Sequence, residues 1–115
     1  MPKRQPDLRL RDAALLFAAL GDETRLRLLR QLAEVGPASI SALAHNFRVS
    51  RQAVTKHLQF LALASIIHGK RAGREHLWTL NPARLAQAQR SLEIITRGWD
   101  DALGRLKAHL EVELE

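Results

Sequence analysis

A chain of 115 residues and 12.9 kDa has room for one domain, residues 1–115. Eighteen Lys and Arg against twelve Asp and Glu leave a net charge of +6 and a pI near 11.0, so a nucleic acid or another anionic surface is the partner class to test. The absence of cysteine excludes disulfides, thiol nucleophiles, iron–sulfur clusters and cysteine-containing zinc sites, and 4% aromatics with no Tyr argue against a stacking platform for single-stranded nucleic acid.

At the amino end, Lys3 and Arg4 precede the apolar run Ala13 to Leu20 in the manner of a secretory leader. Arg9, Arg11 and Asp12 lie against that run and no small-x-small cleavage site follows, so the expected location is cytoplasmic. No stretch approaches the roughly 20 apolar residues of a membrane span. Leu8, Ala14, Leu15 and Ala18 recur at helical spacing and predict a first helix over 8–20, with Gly21 as its C-cap. Asp22 is placed to cap a second helix, whose stripe of Leu26, Leu28, Leu29, Leu32 and Ala33 stops at Gly36-Pro37. Ser39 caps a short third helix, in which Ile40, Leu43, Ala44 and Phe47 fall at i, i+3, i+4 and i+7. Arg48-Val49 then leads to Ser50, the N-cap of a fourth helix reaching about Ala64. Two helices joined so tightly over 39–64 predict a helix-turn-helix. Beyond Ser65 the period changes to two. Ile66-Ile67-His68, a basic glycine-containing tip from Gly69 to Arg74 and the alternating Glu75 to Leu80 predict a β-hairpin over 66–80. Asn81-Pro82 opens a last helix over 82–114, with Gly98 and Gly104 as points where it can bend. The fold class is therefore mainly α with a β-hairpin wing.

The charge is concentrated. No Asp or Glu occurs between Val35 and Arg74, while Arg48, Arg51, Lys56, Lys70, Arg71 and Arg74 bring six positive charges. The whole excess of +6 sits there, as an electrostatic footprint on phosphate would require, although a solvated basic face gives the same count. On a wheel of about 100° per residue, Val54, Leu58 and Leu61 of the fourth helix share one side. Gln52, Thr55, Lys56 and Gln59 occupy the other, with Arg51 at its edge. Arg and Gln form bidentate hydrogen bonds to base edges, Thr offers a hydroxyl and a methyl, and Ser50 with the free N–H groups of the helix start suits a phosphate. An ordinary amphipathic helix facing water is the alternative. Lys70, Arg71 and Arg74, read as a flexible loop, suit a DNA backbone or minor groove and favour the DNA reading. His57 flanks the apolar side and reads as a packing residue.

From about Leu15 to Leu110 the chain resembles the ArsR/SmtB family of winged-helix repressors. Leu16 to Arg25 resembles the family's F-x-A-L-x-D-x-T-R opening, with Glu23 where Pro is common. Val49 to Leu58 resembles V-S-Q-x-x-V-S-x-H-L, with Arg51 in place of the usual Gln, and Gly69 to Leu80 resembles the wing. The resemblance implies a repressor that leaves its operator on a signal, with Gln52 and Thr55 reading bases and Arg51, Lys56 and the wing cations placing the protein on double-stranded DNA. It also implies the branch without metal ligands. Ser39 and Ser41 stand at the positions of the third-helix cysteines, Asp101 is followed two residues on by Leu103, and His109 three on by Val112. His109 and Glu113, one turn apart, read as a solvent-facing pair. No metal or cofactor is expected, and the sequence names no inducer.

The last helix exceeds what a domain this size can cover, about 50 Å at about 1.5 Å per residue. Leu92, Ile95, Trp99, Leu103, Leu106, Leu110 and Leu114 follow at steps of three or four, so part of the stripe suits a second copy, with Leu8 and Leu15 of the first helix joining it. The expected assembly is a homodimer on an inverted-repeat operator. The rival is a winged-helix module for protein association alone, which has no need of an acid-free basic segment. An enzyme finds no support. The five histidines form no HExxH pair, no Ser lies in a nucleophile elbow, and Gly69-Lys70 lacks the rest of a phosphate loop.

Overall fold

The structure, a computed structural model, describes residues 6–45 and 47–114, with side chains from Arg9 to Asn81 and on to Leu114, Asn46 excepted. Five helices and one hairpin follow in the order α1 (Pro6–Leu20), α2 (Glu23–Val35), α3 (Ile40–His45), α4 (Arg51–Leu63), β1 (Ile67–Ala72), β2 (Glu75–Leu80) and α5 (Pro82–Leu114). Among the described residues no helix is long and apolar enough to cross a membrane.

Side-chain caps set most helix starts, because the first N–H groups of a helix have no partner within it. The Asp22 carboxylate accepts the Arg25 N–H at 3.0 Å, Ser39 Oγ that of Ala42 at 3.2 Å, and Ser50 Oγ that of Ala53 at 3.1 Å. The helix ends differ more from expectation. Gly21 is not among the positive-φ glycines, so α1 does not end in a left-handed glycine cap; a guanidinium from α2 takes its last carbonyls instead. α3 stops at His45, and Phe47, expected on its buried face, lies beyond it. The Phe47 N–H still reaches Ala44 O at 3.1 Å and its ring still packs half-buried against the core, so the periodicity survived the end of the helix.

α4 closes with Ile66 N–H donating to Leu61 O and Ser65 N–H to Ala62 O, a paired C-terminal cap with Ser65 at φ 63°. Ile66, expected in the first strand, belongs to this cap, and the strand begins at Ile67. Left-handed backbone costs a non-glycine residue about 1–2 kcal/mol, partly offset by the extra unfolded-state freedom of glycine. Ser65→Gly should therefore raise stability, by up to about 1 kcal/mol, as a higher urea midpoint at unchanged slope. A lower midpoint would show that Ser65 does more than accept the Asn81 Nδ2 hydrogen bond on its carbonyl.

The core lies where the helices meet. Leu16 and Ala19 of α1, Leu28 and Leu32 of α2, Leu43 of α3, and Val54, Leu58 and Leu61 of α4 are essentially inaccessible, with Ala64, Ile66 and Ile67 beneath the hairpin. Each such Leu or Ile contributes roughly 1.5–3 kcal/mol by leaving water. A two-stranded ribbon is marginal alone, and this one is held at its base. Ala38 and Trp78 exchange backbone hydrogen bonds of 3.0 and 2.8 Å, and the Asn81 N–H donates to Ile66 O at 2.8 Å.

Arg84 ties three helices together. Its Nε donates to Ala64 O at the end of α4, its two terminal nitrogens grip the two Asp12 oxygens of α1, all at 2.7 Å, and Nη1 also donates to Gln87 Oε1 at 2.9 Å. That arrangement holds the Asp12 carboxyl below its ordinary range, chiefly through the Arg84 hydrogen bonds.

Candidate nucleic-acid interface

The burial of Val54, Leu58 and Leu61 against the core leaves the opposite side of α4 to solvent. Arg51, Gln52, Lys56 and Gln59 are exposed there, with Ser50 at the N-terminus, so one helix face gathers six of the nine expected DNA-contacting residues. Thr55, the sixth, is half-buried, and its hydroxyl donates back to Arg51 O at 2.9 Å. Its donor is thus engaged within the helix, which leaves its oxygen as an acceptor and its methyl for apolar contact.

The wing departs from the expected flexible loop. The register pairs Ile67 with Leu80 and continues to Ala72 with Glu75, so the connection is only Gly73-Arg74. Gly73 takes φ 63° at the first position of this two-residue turn, which a side chain there would resist. Lys70 and Arg71 lie within β1, opposite Leu77 and His76, and as consecutive strand residues they point to opposite faces of the ribbon. A sequence window rich in glycine and cations reads as loop, but strict two-residue alternation on both sides extends the ladder to the turn. On the Arg71 face, His76 stacks on Trp78 with ring centroids 4.7 Å apart. Gly69 is what admits the stack, since a Cβ there would run into the His76 ring.

His57 is turned inward as a packing residue. Its Nδ1 lies 3.4 Å from Arg25 Nη1 and 3.8 Å from Asp22 Oδ2. The Asp22 carboxyl is held below its ordinary range, first by the Arg25 backbone N–H and then by the nearby charges. Sequence reasoning singled out neither Arg25 nor Arg84. Each acts on elements distant in the chain, and only the T-R of the opening motif marked Arg25.

On α5, Arg84 and Ala88 are the buried residues, and Arg9, Asp12, Ala13 and Leu16 of α1 line a cleft with it that reaches Ile94. The expected stripe stands in solvent: Leu92 is 52% exposed, Ile95 62%, Trp99 64%, and Leu103, Leu106 and Leu110 between 44% and 53%. The helix continues through Gly98 and Gly104 without interruption. Leu15, expected at the interface between copies, packs half-buried against the core of its own chain, because it neighbours the buried Leu16 on the inward side of α1. The side chain of Leu8 lies outside the described residues. His109 Nε2 and Glu113 Oε1 form an exposed pair at 3.2 Å.

A family model described as a helix-turn-helix domain matches residues 20–69. The chain is 36% identical over 87 residues to the HTH-type transcriptional regulator Rv2034 of Mycobacterium tuberculosis, spanning 76% of this chain and 78% of that one. It is 29% identical over 68 residues to the arsenic resistance transcriptional regulator ArsR1 of Pseudomonas putida, 59% and 53% of the two chains. Among solved structures, it matches an ArsR-like transcriptional regulator from Rhodococcus sp. RHA1 with a TM-score of 0.78 and 37% identity, over 86% of this chain and 92% of that one. At this identity and coverage the chain belongs to the ArsR family of winged helix-turn-helix, DNA-binding transcriptional regulators.

Proposed function

We propose that the protein is a homodimeric repressor that occupies an inverted-repeat operator, one recognition helix α4 per half-site. The observation that carries this reading is the uncovered apolar stripe of α5 on a chain with a single recognition helix. A two-fold pair of copies covers the stripe and presents two α4 helices, so half-sites lie about 10 bp or a small multiple apart. Arg51, Gln52 and Thr55 discriminate bases, with Gln59 on the same face a turn further along; Ser50 and Lys56 hold the DNA backbone, and the wing supplies phosphate attraction. Replacing Gln52 by Ala should cost roughly 1–3 kcal/mol on the operator and little on random DNA, as read by fluorescence anisotropy. A Gln52→Ala protein with its preference intact would remove Gln52 from base recognition.

The strand geometry refines what the wing contributes. Because Lys70 and Arg71 face oppositely, one strand of DNA meets Arg74 and only one of the pair. Neutralising all three should reduce the salt slope by about two contacts' worth, roughly 1.8 in log–log units, rather than three. With Ser39, Ser41, Leu103 and Val112 at the family's ligand positions, operator affinity should be unaffected by zinc, nickel, cobalt or chelator.

A further inference from the structure

Arg25 lies in the first turn of α2, and its side chain joins the helix before it to the recognition helix. On one side Nε donates to Ala19 O at 2.7 Å and Nη2 to Ala18 O at 3.0 Å, finishing the last turn of α1 in the absence of a left-handed glycine cap. On the other, the guanidinium carbon stands 4.3 Å from the centre of the Phe60 ring, and Nη1 lies 3.4 Å from His57 Nδ1. His57 and Phe60 are three residues apart, one edge of α4 adjoining its base-reading face. Capping α1 requires only the first pair of contacts. The second pair adds a directed link to α4.

We propose that Arg25 is a positioning residue that fixes the pitch of α4 relative to α1, and through α1 to the dimer frame, and so sets the half-site spacing the protein accepts. This rests on the dimeric-operator reading given above. Val54, Leu58 and Leu61 seat α4 at a depth and roll, but apolar burial is non-directional and leaves pitch weakly determined. A planar guanidinium whose plane is set by two carbonyls is directional. The leverage is large: Arg51 lies about 9 Å along the axis from His57, so a pivot of about 10° moves it by about 1.6 Å. That exceeds the window of about 2.7–3.2 Å within which a hydrogen bond to a base keeps its strength.

The test compares wild type, Arg25→Met, Arg25→Lys and His57→Leu on the operator, on a single half-site, and on operators with the spacer one base pair longer or shorter. Circular dichroism and sedimentation confirm fold and dimer. Arg25→Met should lose about tenfold on the operator, little on one half-site, and most of its discrimination between spacers. Arg25→Lys should behave as Arg25→Met does, since an ammonium cannot span both helices. His57→Leu keeps the α1 cap and should shift spacer discrimination in the same direction, which decides the matter alone if the Arg25 variants do not fold. A folded, dimeric Arg25→Met, or His57→Leu in its place, with wild-type spacer discrimination overturns the proposal, and so does full rescue by Lys. Wild-type protein that prefers no two-half-site operator fails in a different arm and overturns the dimeric-operator reading, and this proposal with it.

Discussion

Replacing Leu103 and Leu106 together by Glu should convert the protein to a monomer and weaken operator binding by about 10²–10⁴, while binding to a single half-site stays at the wild-type level. Both side chains are about half exposed and lie beyond Ile94, the last α5 residue of the cleft shared with α1, so the winged helix itself loses no buried contact. Leu92, Trp99, Leu103, Leu106 and Leu110 keep the alternating four- and three-residue steps of a seven-residue repeat, with Thr96 filling the one polar position, which is the seam two helices need to pack against each other. Glutamates from both copies would then face each other inside that seam, unpaired and desolvated, at several kcal/mol each. The loss on DNA follows from tethering rather than from any contact with DNA: once the copies separate, the second recognition helix no longer binds at the effective concentration its partner provided. Analytical sedimentation at micromolar concentration, paired with titration of both DNAs, checks this. A variant that remains dimeric would move the interface to another surface, the exposed Leu10 and Ile94 near the α1 crossing being the next apolar residues in line.

What the sequence made legible was whatever is decided within one turn of helix or one pleat. Asp22, Ser39 and Ser50 are visible as caps because a side-chain oxygen within about one turn ahead of an apolar stripe has one local task. The face of α4 is visible because three apolar residues at helical spacing leave only one side for Gln52, Lys56 and Gln59. Errors came where two local signals compete. Phe47 keeps helical spacing after the helix has ended, and Gly69 to Arg74 carries turn-like composition inside a ladder whose alternation continues on both strands. Leu15 and Leu16 are adjacent apolar residues on one helix. Both pack against the chain's own core, Leu16 fully and Leu15 in part, and how much of Leu15 that leaves for a second copy is set by the elements around α1, which is not a property of either residue. Arg25 and Arg84 were illegible for the same reason at longer range. Their farthest partners, His57 and Asp12, stand 32 and 72 residues away, and an arginine bound for a side chain in another helix has the same neighbours in sequence as one in water.

Of those two arginines, Arg84 has the larger expected effect on stability. Asp12→Ala should destabilise the protein by about 2 kcal/mol, below the 3–5 kcal/mol seen on breaking a fully buried pair, because Asp12 keeps about half its side chain in water. What remains after the substitution is a guanidinium only 9% exposed whose two terminal nitrogens have lost their bidentate acceptor, although Ala64 O and Gln87 still hold the rest of it. The pH dependence follows from the direction of the Asp12 shift. A carboxyl titrating lower in the folded than in the unfolded chain adds stability that is fully present above its ordinary value near 3.8 and is lost as pH falls through the lowered folded value. Arg84 is shifted upward and stays charged throughout this range, so it adds no slope of its own. The difference in unfolding free energy between wild type and Asp12→Ala should therefore be flat from neutrality down to about pH 5 and shrink below about pH 4. Urea melts at fixed ionic strength resolve the two regions. A gap that instead widened as the pH fell would mean that the folded state prefers Asp12 protonated, and that the two short Arg84 hydrogen bonds do not govern it. The double variant Asp12→Leu, Arg84→Met separates the charge from the packing: recovering most of the lost stability identifies the unpaired buried cation as the cost, since removing both partners leaves two neutral acceptors, Ala64 O and Gln87 Oε1, without the Arg84 donor.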